Sequence, residues 1–292
     1  MRIARLFFFP LVVIASKCIN FYGLETEGEQ LVCSWVNPPS YYLDRIPNLD
    51  TVRLPFSHQL VGSDQGLAKL DAAISLITER KLNVILDYHR TYNTHQSPGP
   101  DKEVSLEDFK RAWSALLARY IDNTWVTGVD IFNEIQGFDK VYAQSVQADV
   151  LNHLEKMFPG RYHYYVGGVD WGKDVGGFDL QVVTSNYSLS VHEYPFFNEN
   201  EDQMNARYNT TQHIFVGEFG FEKYEYDQAK KIVAFFKKRG ITDVCFWTIA
   251  HSRGTGGLWE DDCMTMIPEK FAIFDSIFNQ NVYLFLLRGS YY

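Results

Sequence analysis

"HIFVGEFG", residues 213–220, sets an apolar run against one carboxylate, Glu218, bracketed by Gly217 and Gly220. A near-continuous apolar run this short reads as a strand buried on both faces, the mark of a parallel sheet covered by helices. Ending such a strand on an acid costs desolvation energy, so Glu218 needs a partner or a task. The two glycines keep side-chain bulk away from it, which predicts the close approach of a ligand.

Working outward, seven further strand candidates share this character: "CINFYGL" (18–24), "DTVRLPF" (50–56), "LNVILDY" (82–88), "VTGVDIFN" (126–133), "YHYYVGG" (162–168), "SLSVHEY" (188–194) and "TDVCFWT" (242–248). Between them lie amphipathic stretches at 64–80, 105–121, 140–157 and 226–239. The first sets Leu67, Leu70, Ala73, Ile74 and Ile77 on one face, and Ser105 with Asp108 approximates a capping box before the second. Eight strand–helix units in about 260 residues predict an α/β fold, a single-domain (β/α)8 TIM barrel, rather than an open doubly wound sheet. No GxGxxG or GxxxxGK[ST] opens a turn, which removes the sequence support for nucleotide binding. The barrel is expected over 17–280, with a leader at 1–16 and an apolar extension at 281–292 whose place the pattern does not give.

Composition narrows the partners. The 292 residues carry a formal net charge of -9, and the sequence pI is near 5.4. No basic stripe is present to displace counterions from nucleic acid, so none is expected as a partner. The one basic run, Lys237–Arg239 before Gly240, reads as the cationic end of a helix. Aromatic residues make up 16% of the chain, enough for a core and a stacking surface for sugars. "MRIARLFFFPLVVIAS" (1–16) has two arginines, an apolar block and small residues at its end, the layout of a secretory signal peptide cleaved after Ala15 or Ser16. The expectation is therefore a secreted monomer without membrane insertion after cleavage, since the block is too short to span a bilayer. Cys18, Cys33, Cys245 and Cys263 suit an oxidising compartment and leave three pairings open. Two sequons, at Asn186 and Asn209, would accept glycans in a eukaryotic secretory pathway.

A barrel places its chemistry at the C-terminal ends of its strands. Here strand two carries Arg53, and strand three ends on Asp87, His89 and Arg90. Strand four ends on Asn133 and Glu134, strand six on His192 and Tyr194, strand seven on Glu218 and strand eight on Trp247. Taken singly, Asn133–Glu134 reads as a helix cap, His192 as a satisfied core histidine and Trp247 as packing. Taken together they read as one site, because buried charge at so many strand ends is destabilising unless it is shared. Two carboxyls facing each other across a barrel mouth suit glycosidic bond cleavage, one protonating the leaving oxygen and the other attacking the anomeric carbon. Arg53 is expected to keep Glu218 ionised, while a less compensated Glu134 stays protonated. This chemistry calls for no metal and no cofactor.

At these residues the chain resembles glycoside hydrolase family 5, a family of retaining (β/α)8 glycosidases. "VRLPFS" is similar to its second strand, "VILDYHR" to its third, "VDIFNE" to its Asn-Glu acid/base, "VHEY" to its His-x-Tyr, "FVGEFG" to its nucleophile strand and "CFWT" to its Trp platform. "GLE" (23–25) and "GTGGLWEDD" (254–262) are similar to the family's bacterial and nematode-type endoglucanases. The resemblance implies a β-1,4-glucan substrate, Glu218 as nucleophile and Glu134 as acid and then base. It implies that Asn133 holds the sugar 2-hydroxyl, Arg53 and Tyr194 position Glu218, His192 sits beside Glu134, His89 binds the sugar and Trp247 stacks beneath it. The same machinery on β-mannan, another β-linked glycan or a glycolipid is the alternative, and a non-catalytic carbohydrate-binding or structural barrel is a rival of another class.

Two departures stand out. Ile135 replaces the proline usual after Asn-Glu, which predicts a shifted first helical turn. Strand one starts almost at the leader, so the N-terminal hairpin that often plugs the barrel base is missing, and either residues 1–16 close it or the base is built differently. Trp171 and Trp259, after strands five and eight, are expected to be sugar-stacking platforms. Trp35 is open between platform and surface, and Trp113 and Trp125 read as packing.

Overall fold

The computed structural model describes residues 16–250, 252 and 254–278; the leader before Ser16 and the extension at 281–292 lie outside the described residues. Eight strands follow one another in space as in sequence: β1 (Lys17–Asn20), β2 (Thr51–Ser57), β3 (Asn83–Arg90), β4 (Val126–Asp130), β5 (His163–Gly167), β6 (Tyr187–Glu193), β7 (Ile214–Phe219) and β8 (Val244–Phe246). Every neighbouring pair is parallel, and β8 returns to pair with β1, so the expected barrel closes. Each predicted strand is found. β1, β4 and β8 are shorter than predicted, although the Phe21 and Trp247 N–H groups still donate to the Arg53 and Phe219 carbonyls of the neighbouring strands.

Helices α1 (Pro39–Leu43), α2 (His58–Val61), α3 (Asp64–Thr78), α4 (Leu106–Arg119), α5 (Lys140–Met157), the single turn α6 (Val169–Gly172), α7 (Glu201–Arg207), α8 (Tyr226–Arg239) and α9 (Pro268–Ser276) fill the connections. The four predicted helices are α3, α4, α5 and α8, and their signals are physical. Ser105 caps α4 by accepting the Asp108 N–H at 3.1 Å. Gly240, at φ 68°, ends α8 in the left-handed conformation after the Lys237–Arg239 turn. The short α7 was not foreseen, although Asn200 and Gln203 build a complete capping box at its start.

Inside the barrel, Cys18, Ile85, Tyr165 and Phe215 come from β1, β3, β5 and β7 and pack as one layer, the arrangement expected when alternate strands share a level. Cys18 bonds to Cys245 across the β1–β8 seam, and Cys33 bonds to Cys263. Of the three possible pairings, this is the one formed. Below the layer, at the barrel floor, Ser188 Oγ meets His163 Nε2 at 2.7 Å and His213 Nδ1 at 2.9 Å, and His213 faces Asp243 at 3.2 Å. The Ser16 N–H donates to Asp243 at 2.7 Å and its hydroxyl to Asp50 at 2.9 Å. Among the described residues the base is thus a polar network around a cavity of about 390 Å³. Of the two sequons, Asn186 donates its amide to the Tyr162 carbonyl and is followed by the buried Ser188, whereas Asn209 is exposed.

Candidate active site

Glu218 reaches the mouth through an irregularity in the sheet. Phe215 points into the barrel, so plain alternation would aim Glu218 outward. The β6–β7 register shifts between Val191 and His192, inserting Gly217 and bringing Glu218 opposite His192. This bulge re-aims the side chain into the barrel. A side chain at Gly217 would lie 2.7 Å from Ser190 Oγ, and one at Gly220 would lie 2.4 Å from the Trp247 carbonyl and 2.5 Å from that of Thr255. The expectation that these glycines make room for a ligand is corrected: the space is taken by the protein's own sheet and loops.

Arg53 is the hub. Its fully buried guanidinium donates to Glu218 Oε1 at 2.9 Å, Asp130 Oδ2 at 2.9 Å, Asn20 Oδ1 at 2.9 Å and Asn133 Oδ1 at 2.8 Å, and lies 3.1 Å from Asp87 Oδ2. Burial alone would lower its pKa, but Asp87, Asp130 and Glu218 together hold it above the ordinary arginine value, so it is a permanent cation. Burial pushes Asp87 and Asp130 up, against the pull of Arg53. Tyr194 donates to the other Glu218 oxygen at 2.6 Å, and its phenol, raised by burial and by Glu218, stays protonated. Glu218 is therefore gripped by one donor on each oxygen.

Glu134 sits differently. Its carboxyl is raised to about 7, first by burial, with Asp87 adding and Arg53 and Arg90 opposing. His192, kept neutral by burial, places Nδ1 3.0 Å from Glu134 Oε1 and 3.5 Å from Glu218 Oε2. Gln96, which the sequence reading did not single out, donates to Glu134 Oε2 at 3.3 Å. Asn133 spends its carbonyl on Arg53, which turns its amide toward His89 Nε2 at 3.3 Å. His89 is bound at Nδ1 by Asp87 at 2.7 Å, and its ring stacks on Trp247, centroids 5.5 Å apart. No helix starts after Asn133–Glu134: residues 131–139 form a loop and Asp139 caps α5, so Ile135 shifts no helical turn.

These groups open onto a cavity of about 540 Å³. His89, Glu134, Tyr194, Glu218 and Trp247 line it, as sequence reading expected; Arg90, Gln96, Lys173, Phe196 and Phe197 line it as well. Trp171 is on its rim, half exposed, in a turn where Asp170 and Trp171 both take left-handed backbone angles. Trp259 is not a platform. It is 1% exposed, edge-on to Tyr42 and Phe271, where packing rather than sugar occupies its faces. Trp35 is exposed and outside the cavity lining, and Trp113 is core, its indole N–H bound to the Ile131 carbonyl. Trp125 is 36% exposed and so only partly packed. Tyr22, which sequence reading did not single out, stacks on Trp247 with centroids 5.5 Å apart.

Known proteins share this frame. The catalytic domain of the major endoglucanase of Xanthomonas campestris pv. campestris superposes with a TM-score of 0.79 at 18% identity, over 90% of this chain and 94% of that one. An endocellulase of Pyrococcus horikoshii, in complex with cellotetraose, gives 0.80 at 18% identity over 91% and 93%. At such identity the likeness shows the fold. In sequence, 139 residues are 28% identical to an endoglucanase of Paenibacillus polymyxa, spanning 41% of this chain and 35% of that protein. A further 178-residue match, 25% identical, is to a beta-xylosidase of Phanerodontia chrysosporium, spanning 51% of this chain and again 35% of the relative. The family pattern described as "Cellulase (glycosyl hydrolase family 5)" matches residues 14–252, most of the chain, and the chain belongs to that family.

Proposed function

We propose that the protein is a retaining endo-β-1,4-glucanase acting by double displacement. The observation that carries this is the spacing of the two acids: oxygens of Glu134 and Glu218 come within 4.8 Å of one another. Retaining glycosidases hold their carboxyls about 5–5.5 Å apart, whereas inverting ones leave about 6.5–9.5 Å for a water between them. The environments then divide the labour. Glu218, gripped by Arg53 and Tyr194, attacks the anomeric carbon as the protonated Glu134 delivers its proton to the departing oxygen. The resulting glycosyl ester on Glu218 is cleaved by a water that Glu134, now a carboxylate, deprotonates.

A β-1,4-glucan is favoured by the family and by the endoglucanase among the relatives; xylan and mannan are the substrates to test against it. Glu218→Gln and Glu134→Gln should each lower turnover of carboxymethyl cellulose by at least about a thousandfold while keeping the fold. Near-normal turnover in either variant, or shortening of mannan or xylan but not of cellulose derivatives, refutes the respective assignment. Secretion and a monomeric state are part of the same reading; secretion is supported by the character of residues 1–16 and by two disulfides joining all four cysteines. N-terminal sequencing and sizing of the exported chain test both.

A further inference from the structure

We infer that Gln96 is a positioning residue for the general acid, acting through Glu134; this rests on the proposed role of Glu134. The β3–α4 loop that carries it is pinned by the two residues that follow Gln96. Ser97, fully buried, accepts the Thr91 N–H at 2.6 Å, and the Pro98 carbonyl accepts the Gln136 N–H at 2.9 Å, two residues beyond Glu134. The acid's own segment is tied to β3 in turn by the Asn133 N–H on the Tyr88 carbonyl at 3.0 Å. Gln96 is thus presented to the Glu134 carboxyl from a fixed distance and on the side away from His192, with its side chain in the cavity wall.

The two oxygens of Glu134 consequently have different surroundings. Oε1 faces His192 and, beyond it, Glu218; Oε2 faces the Gln96 amide. An amide can only donate from its nitrogen, so the bond from Gln96 strengthens as Glu134 loses its proton to the leaving oxygen. It thereby stabilises the carboxylate formed in the first step and fixes the plane from which the proton departs. Such a bond is worth most when the leaving group needs a full proton and almost nothing when it needs none.

The test compares kcat/KM, which reports the first step, on cellopentaose and on 2,4-dinitrophenyl β-cellobioside, whose phenolate departs unprotonated. Gln96→Met and Gln96→Ala should lose about tenfold or more on cellopentaose, a part of the 10²–10⁴ that a general acid supplies, and less than about threefold on the aryl substrate. Because a donor to the charged form is lost, the alkaline limb of the cellopentaose profile should move to higher pH. Equal losses on both substrates, no loss, or an unmoved limb overturns the inference. Glu134→Ala serves as the control. If it loses equally on both substrates, the acid assignment itself is wrong and the role of Gln96 falls with it; if it shows the split and Gln96→Met does not, only the inference about Gln96 fails.

Discussion

The two ends of the barrel are both polar and both built from strand termini, yet they handle charge in opposite ways. At the mouth a single cation, Arg53, is shared by Asp87, Asp130 and Glu218, all nearly free of solvent. At the floor, hydrogen bonds run from strand to strand through amide, imidazole and hydroxyl side chains: Asn186 to His163, His163 to Ser188, Ser188 to His213, and His213 on to Asp243. The floor ties neighbouring strands together. The mouth holds more acid than it can neutralise, a costly arrangement that makes sense where one carboxyl must attack and another must stay protonated.

The largest effect that would break this contrast is at the hub. Arg53→Met leaves three buried acids without their cation, and removing one partner from a buried ion network costs about 3–5 kcal/mol. Denaturant unfolding at pH 7 should show that loss together with abolished activity; a variant as stable as the parent means the acids are not held by Arg53. Next is Glu134, whose raised pKa makes it a burden on the fold. Its folded value, about 7, lies above the unfolded one, so stability falls as pH rises from about 4.5 through 7. Glu134→Gln escapes that penalty and should exceed the parent by up to about 3 kcal/mol at pH 8, with the gap closing at pH 4. A gap independent of pH would show that burial of the charge is not its cause. The smallest effect belongs to the floor. His213→Ala should cost about 1 kcal/mol, the loss of a partly exposed hydrogen-bonded link, and leave kcat/KM unchanged. Lost activity there would mean that the two ends are coupled.

Much of this was legible beforehand. Strands announce themselves because a parallel barrel buries both faces of each, and the site announces itself because acids, amides and histidines at the ends of so many such strands, each explicable singly, are costly together unless they share one site. Less legible was anything that depends on direction. Alternation counted from Phe215 turns Glu218 outward, and only the extra residue at Gly217 corrects it; a one-residue irregularity leaves no mark in composition. Asn20 and Asp130 complete the Arg53 network, but as interior strand positions they looked like ordinary sheet residues until their inward facing was known. Gln96 comes from a loop and Phe196 and Phe197 from a single 3-10 turn (Pro195–Phe197), where neither period nor propensity fixes which way a side chain turns. Trp259 failed for the same reason: it follows β8, but its indole is drawn inward between Tyr42 and Phe271.

The two disulfides join the first quarter of the chain to its last, with sequence separations of 227 and 230. Almost the whole barrel is therefore one covalent ring. A protease that clips a loop between β2 and β7 opens that ring without releasing a fragment. A cut anywhere in the stretch from 173 to 186, which separates Glu134 from Glu218 along the chain, leaves the two acids on pieces still linked through sulfur. A chain nicked there thus stays one covalent molecule until both disulfides are reduced.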